Sequence, residues 1–319
     1  MTGVVVKKAG MLTTVQDGGR TGYQAFGMGV SGAMDPFALQ VGNLLVGNPR
    51  EEAAVEITLS GPELEWRQDA WIALTGADLS PTLDGIPLPL WKTLRVKAGQ
   101  MLRFGKPRRG VRCILAVAGG IDVKAVMGSK STYLKGRVGG FQGRPLKKGD
   151  VLNIGRPRLP DHQLSGRALA RREQPVYRKE ACLRTVEGPQ LQAFTDEGIR
   201  CFYEESYQVS PQSDRMGCRL QGPSIQHRKS ADIISDATPP GAVQVPADGQ
   251  PIILMADRQT TGGYTKIATI LSVDLPLVAQ AAPGHRFTFK RVTVAEAQQL
   301  AIEQERFLRM LEMHNGGGH

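Results

Sequence analysis

Short apolar runs of strand length, separated by turn residues, are the feature that most limits how this chain can fold. Each run has the length and the β-branched content of a buried strand. The runs lie at residues 4–6, 55–59, 71–74, 94–96, 101–104, 111–117, 151–154, 183–186, 252–255, 267–273 and 286–289. Asp84-Gly85 and Asp248-Gly249 are dipeptides typical of tight hairpin turns. Together with 38 glycines and 6% aromatic residues, this pattern predicts a mainly β, turn-rich protein.

The chain is long enough for more than one folded core. Its 319 residues correspond to roughly two domains of ordinary size. Residues 156–180 are rich in arginine and proline and poor in large apolar side chains, which favours a boundary there. We therefore expect an N-terminal domain at 1–160, a linker or flap at 161–180, and a C-terminal domain at 181–319 that ends in a helix.

Few helices are predicted. Asp35 is a suitable N-cap, and Pro36 follows it at the first helical position before the apolar residues 37–46. A capping box from Thr293 to Glu296 predicts a helix at the C-terminus. The apolar face of that helix comprises Ala297, Leu300, Ala301, Phe307, Leu308 and Leu311, and its expected end is Asn315-Gly316. This face would pack against the body of the protein or against a partner.

Residues 256–266 concentrate functional groups directly after the strand-like run at 251–255. They include Asp257, Arg258, Gln259, Gly262, Gly263, Tyr264 and Lys266. The backbone amides of a Gly-Gly pair can approach a ligand closely, and Arg and Lys provide positive charge for a carboxylate, a phosphate or a developing oxyanion. The segment predicts either a ligand-binding loop or a tight hairpin with a polar tip.

Two further segments, at residues 13–35 and 213–220, combine glycines with charged or amide side chains. Their candidate functional residues are Gln16, Asp17, Arg20, Arg215 and Arg219. Asp17 with Arg20, and Asp214 with Arg215, could form structural ion pairs that fix loops, or they could belong to a site.

These three segments together resemble the KipA-type proteins, which are also called the C subunit of the bacterial ATP-dependent 5-oxoprolinase. That family, which includes allophanate hydrolase subunit 2, is related to the biotin-dependent carboxyltransferase part of urea amidolyase. The match extends to residues 115–122, 128–132, 235–236 and 241–246, in the family's order, and covers most of residues 3–295. The resemblance implies a mainly β fold of two tandem cyclophilin-like β-barrel domains with few helices.

The resemblance also implies a function. The chain would be the C subunit of a heteromeric 5-oxoprolinase, which opens the lactam 5-oxo-L-proline to L-glutamate together with an A subunit and a KipI-like B subunit. ATP would act at the level of the complex, and this chain alone is expected to be inactive. The implied catalytic residues are Asp17, Asp257 and Lys266. The implied substrate- or anion-binding residues are Gln16, Arg20, Arg215, Arg219, Gln244, Arg258, Gly262, Gly263 and Tyr264.

Two alternatives come from other functional classes. The chain could be the carboxyltransferase component of a biotin-dependent urea or amide carboxylase. It contains no Ala-Met-Lys-Met pattern, so we expect no covalent biotin on this chain. It could instead be a KipA-like interaction protein that antagonises an inhibitor of a histidine kinase.

Other motifs are weaker. Gly27–Gly32 satisfies GxGxxG but lacks a preceding apolar strand, which disfavours dinucleotide binding. Residues 128–132, GSKST, lack the order of a P-loop, although they could present amides and hydroxyls to an anion. The five histidines show no metal-binding spacing.

The net charge is +10, but the basic segments show no regular pattern of interleaved aromatic residues on which nucleic-acid bases could stack. We therefore expect acidic small molecules or an acidic partner protein rather than nucleic acid.

The cysteines and the N-terminus bear on location. Cys113 lies in an apolar run and is expected to be a small core residue, whereas Cys182, Cys201 and Cys218 are expected to be free thiols. No apolar run has the length of a signal-peptide core or a membrane span, so we expect a cytoplasmic protein without membrane contact.

Overall fold

A computed structural model describes residues 3–316. The chain forms two compact units. Unit 1 comprises the residues up to 21, residues 31–177 and the residues from 307 on, and unit 2 comprises residues 22–30 and 178–306. The domain limits expected from composition, including the linker or flap at 161–180, stay a prediction.

Unit 1 consists of two sheets and two complete helices, together with the C-terminal part of the last helix of the chain. Its strands are β1 (Val4–Lys8), β2 (Leu12–Gln16), β3 (Ala54–Thr58), β4 (Glu63–Trp66), β5 (Ala70–Asp78), β6 (Thr82–Leu83), β7 (Ile86–Pro87), β8 (Thr93–Val96), β9 (Met101–Arg103), β10 (Arg109–Val117), β11 (Ile121–Asp122) and β12 (Val151–Ile154). Its helices are α1 (Pro36–Leu45) and α2 (Asp161–Leu164). One sheet has the order β11-β12-β1-β4-β9-β6-β7, and the other has the order β2-β3-β10-β5-β8.

The apolar core of unit 1 lies where side chains of both sheets meet. Val6 of β1, Trp66 of β4 and Ile72 of β5 are fully buried in this core together with Cys113 of β10. Burial raises the pKa of the Cys113 thiol, with a smaller contribution from Asp78. The expected core position of Cys113 is therefore confirmed, and its thiol stays protonated.

Helix α1 covers the outer side of the five-stranded sheet. Its apolar residues, including Leu39 and Leu44, pack in a second cluster with Ile114 of β10. The helix begins as predicted, because the Asp35 carboxylate accepts a hydrogen bond from the Ala38 amide (2.9 Å) and Pro36 occupies the first turn. The same carboxylate accepts the hydroxyl hydrogen of Tyr177 (3.0 Å), so it also fixes a distant segment of unit 1.

Unit 2 contains a closed barrel and a separate two-stranded ribbon. Its strands are β13 (Glu180–Glu187), β14 (Tyr207–Val209), β15 (Gly217–Gln221), β16 (Asp232–Ala237), β17 (Ala242–Gln244), β18 (Ile252–Leu254), β19 (Thr261–Tyr264), β20 (Lys266–Ile270) and β21 (Arg286–Arg291). The barrel order is β13-β20-β17-β18-β15-β14-β21, and β21 closes it by pairing in parallel with β13. Strands β16 and β19 form the antiparallel ribbon.

Three more helices complete the chain, namely α3 (Asp196–Glu204), α4 (Leu275–Ala279) and α5 (Val294–Gly316). Phe202 of α3 stacks on Phe289 of β21, with ring centroids 4.2 Å apart, and thereby packs the helix on the barrel. Helix α5 begins with the predicted capping box, in which Glu296 accepts from the Thr293 amide (2.7 Å). Of its expected apolar face, Leu308 is buried in unit 1 whereas Ala301 is exposed.

The prediction of a mainly β fold with a barrel and few helices is confirmed. Each apolar run overlaps a strand, although the run at 267–273 is shorter than expected because β20 ends at Ile270 and residues 272–274 form a 3-10 turn. The four cysteines are free, as expected for three of them. Within residues 3–316, no helix is both long enough and apolar enough to cross a membrane.

Replacement of Asp35 by alanine is expected to lower the free energy of unfolding by about 2–3 kcal/mol, because a helix cap and a buried acceptor for Tyr177 are lost together. Asp35→Asn keeps an acceptor for the Ala38 amide and should cost less. Urea denaturation followed by circular dichroism measures both changes. A loss below about 0.5 kcal/mol for Asp35→Ala, the level of a surface substitution, would contradict this assignment.

Candidate functional site

In unit 1, the predicted residues near the N-terminus form a buried polar network. The Oδ1 atom of Asp17 accepts hydrogen bonds from the Gly19 amide (2.8 Å) and from the hydroxyls of Ser129 (2.7 Å) and Ser131 (2.5 Å). Its Oδ2 atom accepts from the Lys130 amide (2.5 Å). A carboxylate offers about four acceptor positions, so these four donors satisfy it. The geometry favours a structural role for Asp17, and its role as a base stays a prediction.

The network explains the segment that resembles a phosphate loop. Residues 128–132 do present an amide and hydroxyls to an anion, and that anion is the protein's own Asp17 carboxylate. The Lys130 ammonium forms an ion pair with Glu52 (2.7 Å). These contacts fix the segment internally.

Gln16 and Arg20 lie in the same network. The Arg20 side chain is fully buried and donates to the carbonyl oxygens of Val126 (2.9 Å) and Ser131 (3.0 Å). Gln16 is also fully buried and donates to the Thr132 carbonyl (3.1 Å). Unit 1 thus brings its three predicted site residues together. Within residues 3–316, the Asp17 carboxylate is bound by the donors named above and not by the Arg20 guanidinium.

In unit 2, a buried ion pair joins two of the predicted segments. The Arg215 guanidinium donates to both carboxylate oxygens of Asp257, at 3.0 and 3.1 Å, and each side chain is 4% exposed. The Asp257 amide also donates to the Arg215 carbonyl (2.8 Å). Arg215 thus forms an ion pair that joins two segments, but its carboxylate partner is Asp257 and not the neighbouring Asp214 that the sequence suggested. The catalytic role of Asp257 stays a prediction.

Arg258, the next residue, is a buried cation of a different kind. It is 8% exposed, and it donates to the carbonyl oxygens of Thr238 (2.8 Å) and Met255 (3.2 Å). Among the residues that the structure describes, it forms no ion pair with a carboxylate. Desolvation lowers the pKa of its guanidinium. A buried charge without a counter-charge is unfavourable, so this arrangement favours an anionic ligand.

A cavity of about 500 Å³ lies at Arg258, and its volume suits a small molecule. Its lining includes Val30, Thr238, Pro239, Pro240, Arg258 and Thr260, all within unit 2. We call it the Arg258 cavity.

Gln244 and Gly262 lie next to Thr238. Gln244 is 2% exposed, and within residues 3–316 its buried Nε2 atom has no hydrogen-bond partner. A Cβ atom at Gly262 would clash with this Nε2 atom and would lie 3.0 Å from the Thr238 methyl carbon. Position 262 therefore requires glycine for close approach, and the Nε2 atom beside it is a buried donor without a partner among the described residues.

Lys266 begins β20 and is 2% exposed. Its ammonium donates to the Asp236 carboxylate (2.8 Å), which is about half exposed on β16. The Gly-Gly part of the segment at 256–266 is a strand rather than a loop, because Thr261–Tyr264 form β19, and Gly262 pairs there with Asp236. Arg258 and Lys266 are both buried, so truncating either side chain will also affect stability.

The remaining predicted residues lie elsewhere in unit 2. Arg219 and Tyr264 line a separate cavity of about 320 Å³, together with Gln212 and Asp248. Gly263 is half-buried in β19. Their predicted roles in anion binding are not tested by these positions.

Sequence reasoning assigned no role to Asp236 or Thr238. Asp236 belongs to a dipeptide, Ser235-Asp236, that contributes to the family resemblance, and this signal could have drawn attention to it. Thr238 precedes Pro239-Pro240, but its carbonyl contact with Arg258 depends on tertiary structure alone. Within residues 3–316, no group of three or more His, Cys, Asp or Glu side chains is placed to hold a metal ion.

Asp17→Asn is expected to lower the free energy of unfolding of unit 1 by about 2–4 kcal/mol, because an amide NH₂ would face donors in a buried network. Asp122→Asn, an exposed change on β11, serves as the matched control. Denaturant titration of both variants gives the comparison. Unchanged stability of Asp17→Asn would instead favour a catalytic carboxylate.

The contact with Lys266 is expected to make stability depend on pH through Asp236. The Lys266 hydrogen bond is the largest of the causes that lower the Asp236 carboxyl pKa below its ordinary value. The folded state therefore binds this proton less tightly, so the contact stabilises above about pH 3.9 and its contribution is lost as pH falls through the lowered pKa.

Melting temperatures measured between about pH 5 and pH 3 should therefore fall less steeply for Asp236→Asn than for the wild type. Asp232→Asn, at an exposed position on the same strand, should keep the wild-type slope. Identical slopes for the wild type and Asp236→Asn would contradict the assignment.

Comparison with known proteins identifies the family. The carboxyltransferase domain model, subdomain A and B, matches residues 26–291. The 5-oxoprolinase C subunit of Escherichia coli is 42% identical over 310 residues, which cover 97% of this chain and 98% of that protein. The 5-oxoprolinase C subunit of Haemophilus influenzae is 35% identical, over 92% of this chain and 93% of that protein.

A solved structure agrees with this assignment. The K. lactis urea amidolyase is similar with a TM-score of 0.91 at 31% identity, over 97% of this chain. The chain spans 20% of that longer protein. The resemblance to the C subunit of 5-oxoprolinase is thus confirmed, and the chain belongs to the carboxyltransferase subdomain A and B family.

Proposed function

We propose that this chain is the C subunit of a heteromeric, ATP-dependent 5-oxoprolinase, and that the Arg258 cavity binds an anionic group of the reacting molecule. Similarity over nearly the full length of two proteins named as the C subunit of 5-oxoprolinase supports the assignment to such an enzyme. The observation that carries the site assignment is the buried Arg258 guanidinium, which contacts carbonyl oxygens and faces a cavity of suitable size.

The chemistry of the reaction requires such a cation. A lactam amide is a weak electrophile, so transfer of a phosphoryl group from ATP to its carbonyl oxygen is a suitable activation. Water then adds to the activated carbon, and the ring C–N bond breaks to release the amine and leave an acyl phosphate. A second water then displaces phosphate to give the carboxylate. The substrate carboxylate and the phosphoryl group on the activated oxygen are both anions, and a guanidinium can bind either of them through two hydrogen bonds.

The neighbouring groups fit the same proposal. The buried Nε2 atom of Gln244 has no hydrogen-bond partner within residues 3–316 and lies close to Gly262, so it would donate to an oxygen atom of a ligand that reached it. Lys266 is paired with the half-exposed Asp236, so its charge is partly neutralised. In this proposal Arg258 binds the anion, whereas Arg215, held by Asp257, positions the loop that carries Arg258.

Partner proteins complete the proposal. Relatives named as one subunit of 5-oxoprolinase imply that others exist, and we assign these to an A subunit and a KipI-like B subunit. In unit 1, the segment that could have bound phosphate is occupied by Asp17. We therefore assign ATP to the complex and not to this segment.

A carboxyltransferase role is the second candidate. The likeness to urea amidolyase, at a TM-score of 0.91, specifically favours it. In that role the Arg258 cavity would bind the carboxyl group that is transferred from a biotin carried by another protein.

Reconstitution distinguishes these functions. The purified chain is mixed with candidate A and B subunits, and glutamate formation from 5-oxoproline is measured with and without ATP. We expect ATP-dependent turnover by the complete complex and none by this chain alone. Carboxylation of urea with a biotinylated carrier, without any glutamate formation, would favour the carboxyltransferase role instead.

Arg258→Gln in the reconstituted complex is expected to reduce turnover by about 30- to 1,000-fold, because one charge-assisted donor contributes about 2–4 kcal/mol to lowering the barrier. The substitution also leaves the carbonyl oxygens of Thr238 and Met255 less well satisfied, so stability should fall by about 1–3 kcal/mol. Arg200→Gln, an exposed change on α3, is the matched control.

Turnover is measured at a temperature at which circular dichroism shows both variants to be folded. Wild-type turnover of folded Arg258→Gln would remove the site assignment. The reconstitution would still decide whether the chain belongs to a 5-oxoprolinase complex.

A further inference from the structure

A second cavity lies in unit 1, and none of the predicted site residues lines it. Its volume is about 580 Å³, within the range of small-molecule sites. It lies between the end of β5, residues 87–91 and residues 171–177. Its three cationic side chains are Arg108, Arg109 and Arg171, and we call it the three-arginine cavity.

The charge of this cavity is unbalanced. Within residues 3–316, none of the three guanidinium groups forms an ion pair, and one carboxylate, that of Asp78, faces them in the lining. An oxygen of Asp78 already accepts the Ser80 amide hydrogen (2.9 Å). The lining thus has an excess of positive charge, which favours an anion.

Much of the remaining wall is apolar, although Ser80, Thr82, Gln174 and Tyr177 also line it. It includes Leu88, Leu90, Trp91, Val176 and the prolines Pro81, Pro87, Pro89 and Pro175. Val176 is 57% exposed, although a side chain of its type is usually buried. Arginines beside apolar walls match a molecule that has a charged end and an apolar body.

The backbone of the wall is held in unusual conformations. Trp91 and Ser80 have φ angles of 59° and 50°, in the left-handed region that bulky residues rarely adopt. Trp91 is fixed there by hydrogen bonds from its amide to Leu74 (2.7 Å) and from the Leu169 amide to its carbonyl (2.8 Å). Tyr177, hydrogen-bonded to Asp35, fixes the opposite wall. The cavity is therefore preformed rather than a gap between mobile segments.

We propose that the three-arginine cavity binds an organic anion, in which a phosphate or carboxylate group contacts the arginines and an apolar body contacts the proline and Trp91 walls. Guanidinium groups bind both kinds of anion through paired hydrogen bonds. This site goes beyond the proposed lactam chemistry, because none of its residues belongs to the Arg258 cavity. It would give the chain a second ligand, bound in unit 1.

Isothermal titration of the full chain with four probes tests this inference. Phenyl phosphate and phenylacetate carry both an anion and an apolar body, whereas inorganic phosphate has only the charge and phenol lacks it. We expect at least one of the first two probes to bind about tenfold more tightly than inorganic phosphate and phenol. Whichever binds more tightly identifies the preferred anionic group.

Two substitutions and one control locate the binding. Arg109→Ala and Arg171→Ala should each weaken binding of the preferred probe about tenfold, and both positions are exposed, so the fold should be retained. Arg158→Ala removes an equal charge from an exposed position of unit 1 outside the cavity and should leave the affinity unchanged. Equal effects of all three substitutions would show only general charge attraction and overturn the proposal.

The proposal is also overturned if neither organic anion binds saturably up to about 10 mM, or if binding survives both cavity substitutions. Binding that persists in both variants would place the probe elsewhere, for example at Arg258, and would leave the proposed function unchanged.

Discussion

The position of the proposed site in unit 2 depends on the buried ion pair between Arg215 and Asp257. It joins the segment before β15 to the segment after β18, and Arg258 follows Asp257 directly in the chain. A bidentate contact fixes both the distance and the orientation between the Arg215 and Asp257 side chains. The backbone that carries Arg258 is therefore held rigidly beside the Arg258 cavity. Removing one partner alone would leave an uncompensated buried charge, at a cost of about 3–5 kcal/mol.

The buried cations of unit 2 differ in their partners, and this difference distinguishes structural side chains from a candidate ligand-binding side chain. Arg215 is neutralised by a buried carboxylate and Lys266 by a half-exposed one. Arg258 contacts only carbonyl dipoles among the described residues. Burial of charge is tolerated for structural reasons when it is paired, whereas an unpaired buried cation facing a cavity points to a ligand. The same criterion distinguishes Asp17, which is fully satisfied, from Gln244, which is not.

The strands that contain apolar runs could be predicted from the sequence, because a buried strand requires several apolar residues close together in the chain. Strands β16 and β19 could not, since β16 is largely exposed and β19 contains two glycines, so both lack that pattern. The caps at Asp35 and Thr293 were also predictable, because capping partners lie three residues apart. In contrast, Asp17 contacts Ser131 across more than a hundred residues. The sequence shows charged and amide groups in these segments, but only the fold shows which of them are already paired.

The parallel pairing of β13 with β21 has a consequence for biosynthesis. The two strands are separated by about a hundred residues of chain, and such long-range closure slows folding. During translation, the edge of β13 stays unpaired until β21 has left the ribosome. An unpaired edge is a template for pairing with other nascent chains. Protection of this edge, by a chaperone or by a partner made at the same time, would then determine how much of the protein reaches its barrel form.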